Sequence, residues 1–138
     1  MKVSVMECLD WNTSNKPEEL ASYTHTLMDA GVGLEALWTY RHNGKGHQIA
    51  AVAKRPAKLD RLLRDLGVKP RHSKCLYVAG RETASAVPGV LEKLSCAGIP
   101  VQYSDVLGAG DKFSAAIWVR DRDIGQARRA LRAKSHCC

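Results

Sequence analysis

Hydrophobic positions along the chain switch between the spacing typical of strands and the spacing typical of helices. Short runs rich in Val, Ile and Met, partly alternating with polar residues, indicate strands. Between these runs, apolar residues recur three or four positions apart, as they do in a helix that buries one face. In the first half these patterns predict strands at 2–9, 32–41 and 47–54, a polar loop at 10–16, a hairpin turn at 42–46, and helices that begin at Pro17 and Pro56 and end before Gly31 and Gly67.

The second half of the chain repeats the order of the first. Gly98 stands 67 positions after Gly31, and the apolar residues around the two glycines keep this offset. After the hairpin the offset slips to 65, which aligns Ala50 with Ala115. A repeat of this length indicates two copies of one supersecondary unit. The second copy is predicted to have strands at 74–80, 99–107 and 112–119, a polar loop at 81–85, and helices at 86–97 and 121–133.

Each copy has the order β-α-β-β-α with a final strand that is short or shared. This order places both helices on one face of an antiparallel sheet, as in the ferredoxin-like arrangement. We therefore predict an α+β protein of two ferredoxin-like βαββαβ units. The expected domains are 1–72 and 73–138, the second with a final strand that is short or missing.

The composition predicts a folded protein of the cytoplasm. Hydrophobic residues make up 45% and charged residues 25% of the 138 positions, which allows a core to form. No apolar run approaches the ~20 residues that cross a bilayer, and the N-terminus lacks the apolar region of a signal peptide. The five cysteines are odd in number and irregularly spaced, so we expect buried thiols and a loose Cys137-Cys138 tail rather than a disulfide framework.

The net charge of +7 is unevenly placed along the chain. Residues 36–74 hold ten Lys or Arg against two Asp or Glu, which indicates either a solvated helix surface or a face that attracts nucleic acid or anionic metabolites. RNA-recognition motifs share the predicted order of elements and stack bases on aromatic residues of their third strand. The third strands here, 47–52 and 112–118, carry paired alanines, and only Phe113 resembles that motif. Nucleic-acid binding is thus an alternative that the residues disfavour.

Two stretches of the first copy resemble the ACT domain. Residues 15–20, followed by 27–32, match its pattern of a polar residue, a proline, an apolar helix and Ala-Gly-hydrophobic. Pro17 falls on the proline of the family, whereas Glu18 and Ser85 stand where the two copies would have its loop glycine. With both copies considered, the chain resembles a small stand-alone protein with two ACT domains in tandem.

This resemblance implies a regulatory role. ACT domains sense amino acids or similar small effectors, so it implies a protein that binds such an effector, is not an enzyme and signals through altered pairing or contact with an enzyme partner. We also predict no cofactor and no metal, and exposed sheet surface favours a homodimer. In the family, effectors lie where the loop between strand 1 and helix 1 meets the start of strand 2 of a neighbouring domain. The matching positions are Asp10, Trp11, Asn12, Asn15, Lys16, Pro17, Glu18, Val32, Gly33 and Leu34 in the first copy, and Glu82, Thr83, Ala84, Ser85, Ile99, Pro100 and Val101 in the second.

The residue types at these positions suit an amino acid. The N-terminus of a helix offers unpaired N–H groups to a carboxylate. Asp10, Asn12 and Asn15 have oxygens for an ammonium group. Trp11 has the ring to wall a side-chain pocket. The alternative is a scaffold whose pocket has degenerated, because neither copy has the loop glycine that allows close approach of the backbone. No nucleophile elbow, phosphate loop or paired-cysteine zinc pattern occurs in the sequence, so we predict no catalytic site.

Overall fold

The computed structural model of this chain describes residues 1–14, 16–41, 46–81 and 83–134. Within these ranges it forms six strands and four helices. They are β1 (Lys2–Thr13), α1 (Pro17–Asp29), β2 (Leu34–Arg41), β3 (His47–Ala53), α2 (Pro56–Asp65), β4 (Arg71–Arg81), α3 (Thr83–Cys96), β5 (Tyr103–Ala109), β6 (Lys112–Trp118) and α4 (Ile124–Arg132). None of the described helices is long and apolar enough to span a membrane.

Contacts divide the chain into two units, and the division falls inside two strands. The first unit is Glu7–Ser73, and the second is Met1–Met6 together with Lys74–Cys138. Strands of the first unit lie in the order β2-β3-β1-β4, and those of the second in the order β1-β4-β6-β5. In both orders the fourth strand of a βαββαβ unit borders its first strand, as in the ferredoxin-like arrangement. The predicted fold class is confirmed.

The fourth strand of each unit is a short segment. In the first unit it is the start of β4, at 71–73, and in the second it is the start of β1, at 2–6. The second unit therefore takes its fourth strand from the N-terminal residues rather than from residues after α4. Domain limits at 1–72 and 73–138 stay a prediction from the sequence.

The core of the first unit consists of apolar side chains from its strands and from one face of each helix. Leu27 of α1 and Leu59 and Leu63 of α2 are fully buried. Burial of each such side chain contributes about 1.5–3 kcal/mol. Met28 of α1, by contrast, is 65% exposed. It follows Leu27 by one position, which turns it about 100° around the helix and away from the core.

The core of the second unit is built in the same way. Leu94 of α3 and Leu131 of α4 are fully buried, and Val3 of β1 packs into the same cluster. The guanidinium of Arg132 also donates a hydrogen bond from Nη2 to the carbonyl oxygen of Val3 at 3.2 Å. The end of α4 is thus bound to the strand that completes this unit.

Strand registers show how the two copies correspond. Leu9 pairs with Ala51 across β1 and β3, and Leu76 pairs with Ile117 across β4 and β6. Leu76 stands 67 positions after Leu9, as expected, but Ile117 stands 66 positions after Ala51. The predicted offset of 65 is therefore wrong by one residue here, because it superposed pairs of alanines rather than the faces that the strands bury.

Two predicted loops are wrong. β1 continues to Thr13 through the predicted loop at 10–16, because its residues pair with β3. α3 begins at Thr83 and takes in most of the predicted loop at 81–85, so that Pro88 lies inside the helix. Of the predicted hairpin turn at 42–46, only the last residue lies within the described residues, and the Cys137-Cys138 tail lies outside them.

The start of β5 also differs from the prediction. β5 begins at Tyr103 rather than at Ile99. The amide of Ile99 donates to the carbonyl oxygen of Leu94 at 3.0 Å, which closes the end of α3 instead of joining the sheet. Pro100 then has no N–H to give to a strand ladder. The helix end and the proline together delay the strand.

Candidate functional site

The loop before α1 is hydrogen-bonded to the first turn of that helix. The Ser14 amide donates to Oε2 of Glu19 at 3.2 Å, the Ser14 hydroxyl also bonds that oxygen, and the Lys16 amide donates to the Ser14 Oγ at 3.3 Å. Glu18 and Glu19 add negative charge to the first turn. A carboxylate ligand would meet these charges at this helix end. Asn15, which was predicted to contact the ligand, lies outside the described residues.

The predicted residues of strand 2 lie at the opposite end of α1. That helix has 13 residues and therefore spans about 20 Å. Val32 is buried in the core at 5% exposure, and the carbonyl of Gly33 accepts from the Lys54 amide at 2.8 Å. Leu34 packs partly against the same core. Within the first unit, these three residues are not brought together with Lys16, Pro17 and Glu18.

Trp11 belongs to the core of the first unit. It is 2% exposed, and its ring meets the ring of Tyr23 edge to face with centroids 6.1 Å apart. Its Nε1 has no hydrogen-bond partner among the described residues. Because side chains alternate along a strand, Trp11 faces away from Asp10 and Asn12. The ring is therefore separated from the two polar residues with which it was predicted to form a pocket.

In the second unit, α3 likewise separates the two predicted groups. Thr83, Ala84 and Ser85 form the first turn of this 14-residue helix, and Ile99 follows its last residues. Ile99 is buried at 5% exposure, whereas Pro100 and Val101 are exposed. Glu82 lies outside the described residues. Within this unit alone, the predicted residues do not form one pocket.

The structure assembles a different site on β1, β3 and the start of β4, which we call the Asp10 cluster: Asp10, Asn12, Gln48 and Arg71. Asn12 and Gln48 are direct cross-strand partners. Oδ2 of Asp10 accepts from Nε2 of Gln48 at 3.3 Å, and Oδ1 accepts from Nε of Arg71 at 2.8 Å. The four side chains border a depression of about 360 Å³, which His72 and Ser73 also line.

The members of the Asp10 cluster differ in burial. Gln48 is 8% exposed, so its amide depends on Asp10 as an acceptor. The side chain of Arg71 is 65% exposed, and among the described residues its Nε alone forms a hydrogen bond. Its terminal nitrogens are therefore free to bind an anion from solution. Two of the four residues, Asp10 and Asn12, were predicted from the sequence.

A buried thiol lies next to the cluster on the same strand. Cys8 is 1% exposed. Burial, with a smaller contribution from the Asp10 carboxylate, raises the pKa of the Cys8 thiol to about 11. The thiol therefore stays protonated at neutral pH and is a poor nucleophile. Nothing at this position favours covalent chemistry.

His72 contacts α2 and thereby holds the strand that carries Arg71. Asp60 Oδ1 lies 2.8 Å from His72 Nε2, and Asp60 Oδ2 accepts from Arg64 Nε at 2.9 Å. The hydrogen bonds from Arg64 and then His72 lower the pKa of the Asp60 carboxyl below its usual value. The contact from His72 connects the start of β4, next to Arg71, to α2.

Two other kinds of site find little support in the described residues. No group of three or more His, Cys, Asp or Glu side chains within them is placed to hold a metal ion. Phe113, the residue that resembled a base-stacking aromatic, is 4% exposed and packs in the core of the second unit. It cannot stack on a base from that position.

Comparisons with known proteins identify the fold. Neither a protein-family model nor a curated protein matches the chain. Among solved structures, a Bacteroides thetaiotaomicron protein superposes with a TM-score of 0.81 at 19% sequence identity, over 94% of this chain and 88% of that one. The ligand-free regulatory subunit of aspartate kinase from Thermus thermophilus gives a TM-score of 0.62 at 13% identity, over 94% and 93%.

A longer enzyme contains the same arrangement. The allosteric aspartate kinase of Clostridium acetobutylicum gives a TM-score of 0.63 at 12% identity, where 94% of this chain matches 33% of the kinase. At such identities the likeness shows the fold alone. That fold is the ACT-like, ferredoxin-like arrangement that the resemblance of the sequence implied.

Proposed function

We propose that the protein is a regulatory protein without catalytic activity, and that it binds an amino acid at the Asp10 cluster. The observation that carries this proposal is the ion pair between Arg71 and Asp10, next to Asn12, at the edge of one depression. An amino acid carries a carboxylate and an ammonium group on the same carbon atom. It therefore needs a cation and an anion close together, and the cluster has both.

The hydrogen-bonding capacity of the cluster fits such a ligand. A guanidinium presents donors in a fixed fork that suits a carboxylate, and Arg71 uses only Nε on Asp10. Each carboxylate oxygen of Asp10 accepts one described bond and has a second lone pair for an ammonium group. The amide oxygen of exposed Asn12 is a further acceptor. The buried Gln48 keeps Asp10 in place.

The fold likeness supports the regulatory part of the proposal. Regulatory subunits of aspartate kinase have the same arrangement of strands and helices. By the same reasoning we propose a homodimer that acts on an enzyme partner. A cytoplasmic setting is also part of the proposal, and it rests on the sequence, which has no apolar run of membrane-spanning length. The other predicted contacts lie at the two ends of α1 and of α3, and they stay a prediction for an interface with a neighbouring domain.

The test is a thermal-shift screen of the full chain against the twenty amino acids, followed by calorimetric titration of each hit. A ligand at a hundred times its dissociation constant stabilises the folded state by about 2.7 kcal/mol, a shift that is easily measured. We expect Arg71→Gln and Asn12→Ala to remove the shift. Arg61→Gln, which changes an exposed arginine outside the cluster, is the matched control and should keep it.

Three outcomes would contradict the proposal. No shift at millimolar concentrations would favour a scaffold without a ligand. A shift that survives Arg71→Gln and Asn12→Ala would exclude the Asp10 cluster as the site. If Asn15→Ala alone abolished the shift, the ligand would bind at the loop before α1, as the resemblance to ACT domains implies.

A further inference from the structure

A second hollow, of about 420 Å³, lies in the second unit where β4 and β5 end and β6 begins. Its lining has two parts. One is apolar and includes Ala79, Leu107 and Ala109, and the other is basic and consists of Arg81 and Lys112. The Asp10 cluster is in the first unit and shares no residue with this hollow.

The strand register places these side chains on one face. Arg81 pairs with Lys112, and Lys112 pairs with Ala109 on its other side. Two residues further along each strand, Ala79 of β4 pairs with Ser114 of β6, and Ser114 pairs on its other side with Leu107 of β5. Residues two apart on a strand share a face, so the basic row and the apolar row stand side by side.

Within the described residues, no acidic side chain neutralises Arg81 or Lys112. Arg81 and Lys112 are directly opposite each other, an arrangement in which like charges destabilise a sheet. None of the ion pairs within the described residues involves either of them. Asp111 precedes Lys112 in the chain but does not line the hollow. An anion between the two cations would relieve this repulsion.

The floor of the hollow is shaped for an apolar group. Leu107 is 68% exposed, the highest exposure among the large hydrophobic residues described. Under the floor, the ring of Phe113 packs against Gly80, where an added Cβ would come within 3.0 Å of Phe113 Cε1. Covering Leu107 with an apolar ligand would remove its surface from water. The hollow thus combines two basic side chains with an adjacent apolar surface.

We propose that this hollow is a second small-molecule site, and that its ligand is an aromatic or branched aliphatic monocarboxylate without an ammonium group. The carboxylate binds between Arg81 and Lys112, and the apolar group covers Leu107. No described acidic side chain lines the hollow, so an ammonium group would find no counter-charge there. This selectivity separates the ligand from the amino acid proposed for the Asp10 cluster, and neither proposal depends on the other.

The experiment is an NMR titration of the ¹⁵N-labelled full chain with three compounds of matched size. They are 3-phenylpropionate, 3-phenylpropylamine and L-phenylalanine. We expect 3-phenylpropionate to shift the amides at the ends of β4, β5 and β6 and to saturate, while the amine leaves these amides unchanged. L-Phenylalanine should bind there more weakly than 3-phenylpropionate. Equal binding of the amine would overturn the proposal, since the site would then select only for apolar surface.

Variants separate the two parts of the hollow. Arg81→Gln and Lys112→Gln should each weaken 3-phenylpropionate roughly tenfold, the loss of one charge-assisted hydrogen bond. Arg128→Gln, on the exposed side of α4, is the matched control and should change nothing. Arg71→Gln should also leave this ligand unaffected, so the failure of one proposal can be told from the failure of the other. Binding that survives both Arg81→Gln and Lys112→Gln would overturn the assignment.

Discussion

The two units carry opposite chemistry at matching positions of one fold. Asp10, Asn12 and Gln48 of the first unit correspond by register to Tyr77, Ala79 and Ser114 of the second. In the first set Asp10 is hydrogen-bonded to Gln48 and to Arg71, whereas the second set borders an apolar hollow with a basic rim. Core-facing positions on the same strands, such as Leu9 and Leu76, are kept. The comparison shows that the buried face maintains the repeat, while the other face is free to differ.

A second difference concerns how each unit holds its fourth strand. In the first unit, Asp60 of α2 contacts His72 at the start of β4. In the second unit, Arg132 of α4 donates to the carbonyl of Val3 at the start of β1. The first contact involves the Asp60 carboxyl, whose pKa is lowered in the folded state, whereas the second uses a backbone oxygen that carries no charge. We therefore expect the contact in the first unit to depend on pH and the contact in the second unit not to.

The largest expected effect comes from the core, where Trp11 stands at the position that Val78 takes in the second unit. Trp11→Ala should lower the free energy of unfolding by about 3–5 kcal/mol, because it removes a buried ring that packs on Tyr23. Val78→Ala removes fewer atoms and should cost less. Urea unfolding followed by circular dichroism measures both.

A conservative variant sharpens this test. Trp11→Phe keeps a ring next to Tyr23 and removes the Nε1 that lacks a partner among the described residues. We expect it to cost clearly less than Trp11→Ala. If Trp11→Ala and Val78→Ala were equally destabilising, the larger side chain at position 11 would contribute no more to the free energy of unfolding than the valine at position 78.

The order of elements could be predicted because it follows from the buried face. Leu27 and Leu94 both lie in the core, and the glycines that end their helices, Gly31 and Gly98, have φ values of 71° and 69°. Positive φ at the end of a helix favours glycine, so the two helix ends could be predicted from the sequence. The offset of the later strands could not be predicted, because small residues such as alanine occur on both faces of β3 and β6.

The candidate site could be predicted only in part. Asp10 and Asn12 were identified as polar residues suited to a ligand, but they were assigned to a loop and grouped with Trp11. Gln48 and Arg71 were missed, because they reach Asp10 across 38 and 61 positions of sequence. Such contacts depend on strand register, which a single sequence does not fix. The one available signal was Gln48 itself, a polar residue in a strand that is otherwise apolar after His47.

A smaller effect is expected from Asp10, which has no acidic counterpart in the second unit. Asp10→Ala leaves the amide of the buried Gln48 without its acceptor and should cost about 1–3 kcal/mol. The exposed bond to Arg71 adds at most about 1 kcal/mol. Asp10→Asn keeps an acceptor oxygen and should cost less. Asn12→Ala, on the same face but exposed, is the control, and an equal loss there would mean that Gln48 does not depend on Asp10.

The smallest effect concerns pH and the contact between Asp60 and His72. Hydrogen bonds from Arg64 and His72 lower the pKa of the Asp60 carboxyl in the folded state. A lowered pKa stabilises the folded state above the ordinary pKa of an aspartate, and this contribution is lost as the pH falls through the lowered value. Asp60→Asn should therefore melt below the unchanged protein at pH 7, and the gap should close as the pH falls below the ordinary pKa of an aspartate. Asp65→Asn, exposed on the same helix, is the matched control.

The second unit contacts its fourth strand through a backbone oxygen, so Arg132→Gln should shift the melting temperature equally over the same pH range. A gap for Asp60→Asn that stayed constant with pH would show that the two units hold their fourth strands by contacts with the same pH dependence.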